Sequence, residues 1–492
     1  MRSVKFLIIA LMSIATLASC NKEGDGASLA LSRTALYFSS WNDNSQVISY
    51  VATNTVSVGV GSISNGWEAF VNATTKEILV TPVGATDDTV SEEELPKEGM
   101  MVINALNKEN QATSYMINLY ICETVAADRD GASNCYVVTA PNTNYTFDAM
   151  SRPDGSSLET ASVKLLWQSN PEIVNNVDIV GGRAQFYVAP SAEDTTRLED
   201  TNAVIAAYNA VGEVIWSWHL WIVNENPLTA TTTYQLNGEE KVFMNMNLGA
   251  FTNANGSADE QKIHDSYGMY YQWGRKDPFP RPYYFDASGA EAEGCFNGDN
   301  YIISGKFEEC SATTGTVAYT VKNPMTYITN ATCIEEGGDG VGDWLAVADN
   351  TLWNDTEKSL YDPCPKGWRV PTARDLATLK LTDNNAADNN EALENARGQY
   401  GWNLSGDVGS AFWSACGRRR YNDGKIENMN SKEGVYPSQP QPWEGYYWTS
   451  STTADGKAVS LYFDLTTTRV NKFSPNHSAR RANGFQVRCV KE

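Results

Sequence analysis

Short apolar and aromatic runs recur at near-regular spacing in the first quarter of the chain, with polar turns between them. They occupy residues 35–38, 47–51, 56–60, 66–71, 77–80 and 115–120. Runs of this length at this spacing, without a long helical pattern, indicate the strands of a β-sandwich. Aromatic residues make up 11% of the chain, which agrees with β-structure because aromatic rings pack well on pleated surfaces. Residues 29–123 are therefore predicted to form one sandwich.

A second β unit is predicted at residues 131–230. In its last strand Trp216, Trp218 and Leu220 alternate with the residues of the other face, so one face is wholly apolar. His219 lies in the same strand. Because no serine or cysteine motif supplies a nucleophile for it, we interpret His219 as a structural residue and not as a catalytic base.

Residues 236–492 form the third predicted unit. Its clearest helix begins after Pro371, where Thr372 is placed to cap it and Asp375 follows three residues later as a capping-box partner. A long loop-rich region separates this helix from the last predicted strands, at residues 446–448, 459–463 and 485–488. This pattern predicts a compact mixed fold.

The N-terminus has the order of a secretory signal. A basic start precedes an apolar run at residues 6–17, which is too short to span a bilayer as a mature helix, and Cys20 follows directly behind small residues. This order resembles the box of bacterial lipoproteins. The resemblance implies that residues 1–19 are a signal peptide, that the Cys20 thiol is acylated, and that residues 20–28 are a lipid-anchored linker. An ordinary signal peptide with a coincidental cysteine is the alternative.

Charge and the next residues refine this picture. Residues 21–25 partly resemble the Lys-plus-acid signal that sends lipoproteins of Bacteroidetes-type bacteria to the outer surface, so we expect a lipid-anchored, surface-exposed protein of the outer membrane. Removal of Arg2 and Lys5 with the signal changes the formal net charge from −22 to −24. So acidic a chain is repelled by nucleic acid and by anionic membranes, which excludes both as partners apart from the lipid anchor.

Each predicted unit carries a further resemblance. The first is similar, through a Gly-Trp-x-Ala motif at residues 66–69, to the immunoglobulin-like repeats near the lipid end of Bacteroidetes surface proteins. The second resembles, through residues 134–138 and 215–221, a recurring module of secreted and fimbria-associated proteins of the same group.

The third unit resembles the Fibrobacter succinogenes major paralogous domain, whose fold is related to C-type lectins. Motifs in the same order occupy residues 244–250, 267–275, 361–372, 445–451 and 484–490. Together the resemblances imply a mainly β, multidomain chain, with two immunoglobulin-like β-sandwiches followed by an α+β C-type-lectin-like domain.

The chain has nine cysteines, and the eight besides Cys20 are an even number, which favours disulfides in an exported protein. Cys364 and Cys489 bracket the third unit and are predicted to pair. A local bridge is predicted between Cys295 and Cys310. A bridge between Cys122 and Cys135 is a further candidate, which leaves Cys333 and Cys416. No CxxC motif occurs and only three histidines are present, so a zinc site is not predicted.

Many lectin-like domains bind sugar through calcium. The Glu-Pro-Asn or Gln-Pro-Asp loop of those domains is missing, and residues 439–444 only approach it. Trp353-Asn354-Asp355 spells the lectin calcium tripeptide but lies before Cys364, away from the last strands. The acidic segment 335–343 lacks the EF-hand spacing. No metal or cofactor is therefore predicted.

The predicted binding site lies in the loops of residues 405–450. Arg418, Arg419 and Arg420 would offer paired guanidinium donors to an acidic or sulphated glycan. Salt bridges to the abundant carboxylates explain these arginines equally well. Trp443, in a proline-rich loop, is expected to be exposed and to stack on a sugar ring.

These features predict a non-catalytic, adhesin-like surface lipoprotein that binds a glycan or a glycoprotein. The first alternative is a fimbria-associated or tip subunit that engages other protein subunits. The second is a glycan-degrading enzyme, since paired carboxylates are not excluded. No G-x-S-x-G, H-E-x-x-H or phosphate-loop motif supports an enzyme, and no catalytic residue is predicted.

Overall fold

The computed structural model describes residues 26–85, 91–255, 257, 259–281, 294–297, 300–302, 306–331, 342–381, 399–429, 444–465 and 473–492. In these ranges strands predominate and the longest α-helix has six residues, so the chain is mainly β and contains several sheets, as expected. No helix in the described part is long and apolar enough to cross a membrane. The chain divides into two compact units, Met1–Val125 with Asn142–Asn144, and Ala126–Pro141 with Tyr145–Glu492. The signal segment and Cys20 lie outside the described residues.

The first unit is a sandwich of two four-stranded sheets. Its strands are β1 (Ser28–Leu31), β2 (Ala35–Phe38), β3 (Gln46–Thr53), β4 (Ser57–Ile63), β5 (Trp67–Asn72), β6 (Glu77–Pro82), β7 (Glu98–Leu106) and β8 (Ala112–Ile121), with one 3₁₀ turn at Glu92–Glu94. The sheet orders are β1-β3-β6-β5 and β2-β8-β7-β4. Inward residues of both sheets, among them Ile48, Ile78, Met101 and Ile117, are fully buried in a common core.

The second unit begins with two sheets. Its first strands are β9 (Glu123–Ala126, where the two units divide), β10 (Cys135–Val138), β11 (Thr143–Asp148), β12 (Ser162–Gln168), β13 (Val174–Val180), β14 (Arg183–Val188), β15 (Thr201–Tyr208) and β16 (Val214–Ile222). β13, β14 and β11 lie side by side in one sheet. In the other sheet the order is β10-β16-β15-β12, with β10 parallel to β16.

The remaining elements complete the second unit. They are β17 (Thr231–Leu236), β18 (Glu239–Met244), α1 (Glu260–Asp265), β19 (Tyr271–Gln272), β20 (Cys295–Asn297), β21 (Asn300–Ile302), β22 (Lys306–Glu309), α2 (Val317–Lys322), β23 (Thr326–Thr329), β24 (Trp368–Arg369), α3 (Ala373–Leu376), β25 (Lys380–Leu381), β26 (Gly401–Ser405), β27 (Ser410–Ser414), β28 (Cys416–Arg419), β29 (Ile426–Met429), β30 (Glu444–Thr452), β31 (Ala458–Asp464), β32 (Phe473–Ala479), β33 (Gly484–Phe485) and β34 (Val490–Lys491).

Most of these later strands form their own sheets. The largest has the order β19-β33-β28-β30-β31-β32, with β29 paired to β28. Smaller sheets are β17-β18-β34-β24, β25-β26-β27 and β22-β23. The pair β20-β21, however, extends the sheet of β10, β16, β15 and β12. The segments predicted as separate modules at 131–230 and 236–492 thus share a sheet.

The two predicted modules also share a hydrophobic core. Trp167 and Trp221 from the first segment and Trp273, Trp448 and Phe485 from the second belong to one cluster of buried residues. Residues 131–230 and 236–492 therefore form one compact unit in the structure, which differs from the independent modules expected from the sequence. The physical reason is that neither segment encloses these large aromatic rings alone.

β16 shows how this core is built. The predicted apolar face is buried, with Trp218 packed edge-to-face on Phe147 at 4.9 Å. The opposite face is buried as well: the Trp221 indole nitrogen donates to the carbonyl of Ala250 at 2.7 Å. The alternation of the sequence predicted one covered face, and the C-terminal segment covers the other.

The predicted helix start after Pro371 is confirmed as α3, but the helix is a single turn that ends at Leu376. The Thr372 side chain accepts a hydrogen bond from the amide of Asp375, and the Asp375 carboxylate accepts one from the amide of Thr372 at 2.9 Å, so both halves of the capping box are present. Asp375 also pairs with Arg369 at 2.8 Å and Lys241 at 3.1 Å. The short helix is therefore tied to neighbouring strands.

One predicted disulfide is confirmed and two are wrong. Cys364 and Cys489 are bonded, with their Cα atoms 6.0 Å apart. Cys310 carries a free thiol, which contradicts the bridge to Cys295, because Cys295 begins β20 and Cys310 follows β22 in a different sheet. Cys122 and Cys135 are both free thiols, so the candidate bridge between them is also wrong.

The last two cysteines have separate outcomes. Cys416 is a buried free thiol, whereas Cys333 lies outside the described residues. In Cys135 the sulfur lies 3.5 Å from a ring nitrogen of His219, inside the core. Buried free thiols such as those of Cys135 and Cys416 pack in the core as small, mainly apolar side chains.

Candidate binding cleft

The structure places the predicted arginines in internal contacts. Arg418 donates to Glu427 at 2.8 and 2.6 Å, across the pairing of β28 with β29. Arg420 pairs with Asp423 and, at 3.3 Å, with Glu427. Arg419 is buried and donates to the carbonyls of Gly424 and Pro280 at 3.1 and 3.0 Å. The contacts of Arg418 and Arg420 match the salt-bridge alternative, because both are paired with carboxylates, whereas Arg419 is bonded to backbone carbonyls.

Trp443, the fourth residue of that predicted site, lies outside the described residues, as does most of the proline-rich loop. Arg481, part of a second basic pair in the sequence, is fully buried, where it pairs with Asp343 at 3.3 Å and stacks on Trp273 at 4.3 Å. The contacts of Arg418, Arg419, Arg420 and Arg481 are thus made within the fold.

A polar cleft of about 410 Å³ lies elsewhere in the second unit. One wall is the loop of residues 189–200 between β14 and β15, and the other includes α1 and Arg281. The cleft is lined by Asn170, Ser191, Glu193, Asp194, Arg197, Leu198, Glu199, Asp200, Asn224, Phe251, Gln261, His264, Asp265 and Arg281. Its volume falls in the range of small-molecule binding sites.

Asp200 is fixed on the first wall by Asn224. One carboxylate oxygen, Oδ1, accepts hydrogen bonds from the backbone and side-chain nitrogens of Asn224, both at 2.8 Å. Asn170 donates to the Asp200 carbonyl at 2.7 Å. Burial raises the pKa of Asp200, the bonds from Asn224 oppose this, and the negative charges of Asp265 and Glu199 raise it further.

Asp265 occupies the second wall at the end of α1. Its Oδ1 accepts from Gln261 at 3.0 Å and from Arg281 at 3.3 Å, and His264 Nδ1 lies 3.6 Å away. Burial alone would raise the pKa of Asp265, but the contact with His264 and the charge of Arg281 outweigh burial and lower it. Two carboxylates in one cleft thus have pKa values shifted in opposite directions.

Arg281 joins the polar wall to an aromatic ring. Its guanidinium lies 4.2 Å from the centroid of Phe251 and donates to the carbonyl of His264 at 3.3 Å. Phe251 and Arg281 are buried, whereas Glu193, Asp194, Arg197 and Glu199 are exposed. The cleft therefore has a partly apolar floor and a charged rim, with carboxylate, amide and guanidinium groups that accept and donate hydrogen bonds.

Sequence reasoning missed this cleft. The loop that supplies its first wall contains Glu193, Asp194, Glu199 and Asp200 within eight residues, and this acidic run was the available signal. Its partners on α1 lie more than sixty residues later, and only the shared fold brings the two segments together.

His219 lies in a second polar cluster, which is closed to solvent. Its Nε2 lies 2.8 Å from Asn202 Oδ1, while Cys135 Sγ and the Tyr271 hydroxyl lie 3.5 and 3.3 Å from Nδ1. The Asn202 amide nitrogen donates to Gly249, so Oδ1 accepts, which assigns the His219 proton to Nε2. The types and order of the groups are those of a nucleophile, a base and an orienting amide.

Burial prevents that cluster from acting as a catalytic site. Cys135, Asn202, His219 and Tyr271 are each at most 1% exposed. Burial lowers the pKa of His219 to about 3 and raises the pKa of the Cys135 thiol, so both groups are neutral at ordinary pH. The cluster joins β10, β15, β16 and β19, as the structural interpretation of His219 expects.

In the described ranges, no group of three or more His, Cys, Asp or Glu side chains is arranged to hold a metal ion. Asp355, of the lectin-like tripeptide, accepts hydrogen bonds from Ser450 and Ser451 at 2.6 and 2.7 Å. Its carboxylate therefore anchors β30.

Comparisons with known proteins place the chain in no family. No family model matches it, and no curated protein matches it. Solved structures with partial similarity to the chain include SGBP-B of the Bacteroides ovatus mixed-linkage glucan utilization locus, in complex with a mixed-linkage heptasaccharide (11% identity, 41% of this chain and 46% of that chain, TM-score 0.13). Others are the human desmocollin-1 ectodomain (9%, 45% and 46%, 0.15) and a Ca²⁺-stabilized adhesin of an Antarctic bacterium (11%, 44% and 63%, 0.12).

These matches are partial. The chain spans less than half the length of the first two structures. TM-scores of 0.12 to 0.15 do not establish a shared overall fold, and the site must be interpreted from its own residues.

Proposed function

We propose that this chain is a surface-displayed, non-catalytic lipoprotein that binds a glycan, free or on a glycoprotein, in the cleft between the 189–200 loop and α1. The cleft is the observation that carries the proposal. Its lining combines carboxylates, the amides of Asn170 and Asn224, and a guanidinium stacked on Phe251. A sugar hydroxyl both donates and accepts hydrogen bonds, so it suits a lining in which carboxylates accept, amides do both and guanidinium groups donate.

The remainder of the proposal concerns display. The order of basic start, apolar run and Cys20 supports acylation of Cys20 and anchoring in the outer membrane. The first unit would then stand between the lipid and the binding unit in the chain, which suits a spacer. A mature chain with net charge −24 is expected to remain soluble when displayed at a surface.

One observation favours a second candidate, hydrolysis of the bound glycan. Asp200 and Asp265 line the same cleft, and the pKa is raised for Asp200 and lowered for Asp265. Such a divergence is the pattern of a general acid beside an ionised carboxylate. Release of reducing ends from a bound glycan, abolished by either Asp200→Asn or Asp265→Asn, would establish this activity.

Binding of the full mature chain to a broad panel of glycans and mucins tests the proposal. We expect saturable binding that weakens about tenfold or more in Asn224→Ala, because the Asn224 side chain holds the Asp200 carboxylate and the backbone of Leu198 in the wall of the cleft. Asp407→Asn, an exposed carboxylate in the turn between β26 and β27, is the matched control and should bind like the parent.

Two results would count against the proposal. Absence of binding across the whole panel would overturn glycan recognition. Binding that is unchanged in Asn224→Ala but lost in Arg420→Ala would return the site to the arginines of β28 and its hairpin. Thermal unfolding of each variant distinguishes a lost site from a lost fold.

A further inference from the structure

The balance of charge in the cleft restricts its ligand. Five carboxylates line it against two guanidinium groups, of Arg197 and Arg281. Arg281 is already paired with Asp265 at 3.3 Å and covered by Phe251, so its charge is largely compensated. Arg197 lies on the exposed rim, beside acidic residues of its own loop. The lining of the cleft therefore has a net negative charge, which would repel an anionic ligand.

Asp200 is one of the carboxylates that carry this negative charge, and two others act on its charge. Its Oδ1 accepts both hydrogen bonds from Asn224, and no described residue donates a hydrogen bond to its Oδ2. Asp265 and Glu199 are close enough to act on its charge. A carboxylate oxygen without a donor, next to two other carboxylates, favours a cation that can donate hydrogen bonds.

We infer that the cleft selects a glycan that carries a free, protonated amine, such as an oligosaccharide of glucosamine, over its N-acetylated or anionic counterparts. This inference rests on the proposed glycan binding. The ammonium group would lie at Asp200 Oδ2, and the hydroxyl groups of the same sugar would face Asn170, Asn224 and Gln261. Phe251 and the rim supply the remaining surface of the site.

The fold does not require a carboxylate at this position. Asparagine has the same shape, and its Oδ1 can accept both bonds that Asn224 donates to Asp200. The raised pKa of Asp200 means that its ionised form is disfavoured in the folded state, so the charge lowers stability above its pKa. Asp200→Asn should therefore unfold at the same temperature as the parent or slightly higher. A residue that lowers stability where a neutral analogue would fit is a candidate for binding.

The test compares matched oligosaccharides by calorimetry with the full mature chain at pH 6. The probes are glucosamine oligomers, the same oligomers fully N-acetylated, and a sulphated oligosaccharide of similar length. We expect at least tenfold tighter binding of the amine form, no binding of the sulphated form, and loss of the preference in Asp200→Asn. Asp407→Asn is the control that removes one exposed carboxylate outside the cleft, and it should keep the preference. Added salt should weaken the preference, because the attraction is electrostatic.

Each of the following results would overturn a specific part of the amine inference or of the proposed function. Equal binding of amine and N-acetylated oligomers, or an unchanged preference in Asp200→Asn, would overturn the amine inference and leave glycan binding intact. Displacement of the amine oligomers by trilysine at equal concentration would show that the site takes amines in general, and would overturn selection of a glycan. Failure of every glycan to bind would overturn the proposed function itself.

Discussion

At the scale of single residues, burial decides what a side chain can do. His219, Cys135 and Asn202 have the arrangement of a catalytic triad, yet they are sealed in the core and neutral. Arg418 and Arg420, which the sequence offers as ligands for an acidic glycan, are paired with Glu427 and Asp423. Residue type alone does not predict either result. The burial of His219 depends on neighbours that are distant in sequence, and the pairing of Arg418 depends on the register of the β28–β29 hairpin.

The neutral, buried state of His219 predicts a dependence of stability on pH. Its pKa is lowered from 6.5 to about 3 by burial, so below pH 6.5 the unfolded chain takes up a proton that the folded chain refuses. The stabilising contribution is complete above pH 6.5 and falls by about 1.4 kcal/mol per pH unit until the folded pKa is reached. The parent should therefore lose ~2 kcal/mol more than His219→Gln between pH 6.5 and 5, as measured by urea unfolding.

A direct observation checks the same prediction. The ring resonance of His219 should show no titration between pH 7.5 and 4 in an NMR experiment. A midpoint near 6.5 would mean that solvent reaches the imidazole, and the Cys135–His219–Asn202 cluster would then have to be reconsidered as a reactive site.

At the scale of elements, local signals were predicted well and non-local ones were not. The capping box of α3 was predicted because Thr372 and Asp375 are three residues apart and the interaction is complete within one turn. The apolar face of β16 followed from its period of two. Burial of its second face did not, because the residues that cover it, such as Ala250 and Tyr271, lie outside its own module.

The cap of α3 makes a local prediction. Thr372→Ala removes the oxygen that accepts from the Asp375 amide and should lower the free energy of unfolding by about 1 kcal/mol. Thr372→Ser keeps that oxygen and should recover most of the loss, as followed by tryptophan fluorescence in denaturant. If serine destabilises as much as alanine, packing of the threonine methyl group and not the cap is what stabilises this helix.

At the scale of the whole molecule, the sequence predicted β-structure and one long-range disulfide but not the way its segments combine. The pairing of Cys364 with Cys489 follows from their positions in the third predicted unit, which they bracket, and the structure shows this bond. The candidate cleft could not be predicted, since it forms only when the 189–200 loop and α1 belong to one folded unit. Composition and local pattern describe each segment separately. The core shared by residues 131–230 and 236–492 depends on which surfaces of the two segments pack together.

The confirmed disulfide closes a long loop within the second unit and yields the prediction that concerns the largest part of the molecule. Cys489 precedes β34, which pairs with β18 and with β24, the strand that follows Cys364. The bond joins residues 125 positions apart, so the chain-entropy model predicts a stabilisation of about 4–5 kcal/mol. The double variant Cys364→Ala/Cys489→Ala should be destabilised by a comparable amount in urea unfolding of the second unit. Cys416→Ala, a buried thiol outside any disulfide, is the matched control for the loss of sulfur from the core, and should cost much less.

Alkylation without reductant separates the bond from its neighbours. In denaturant, Cys122, Cys135, Cys310 and Cys416 should react at once, and Cys364 and Cys489 only after reduction. If the double variant is no less stable than Cys416→Ala while the parent shows the bond intact, the sheet β17-β18-β34-β24 would be sufficient to hold the ends of this segment together. In that case the disulfide would add little to the free energy of unfolding. The stability of the unit would then come mainly from its shared aromatic core.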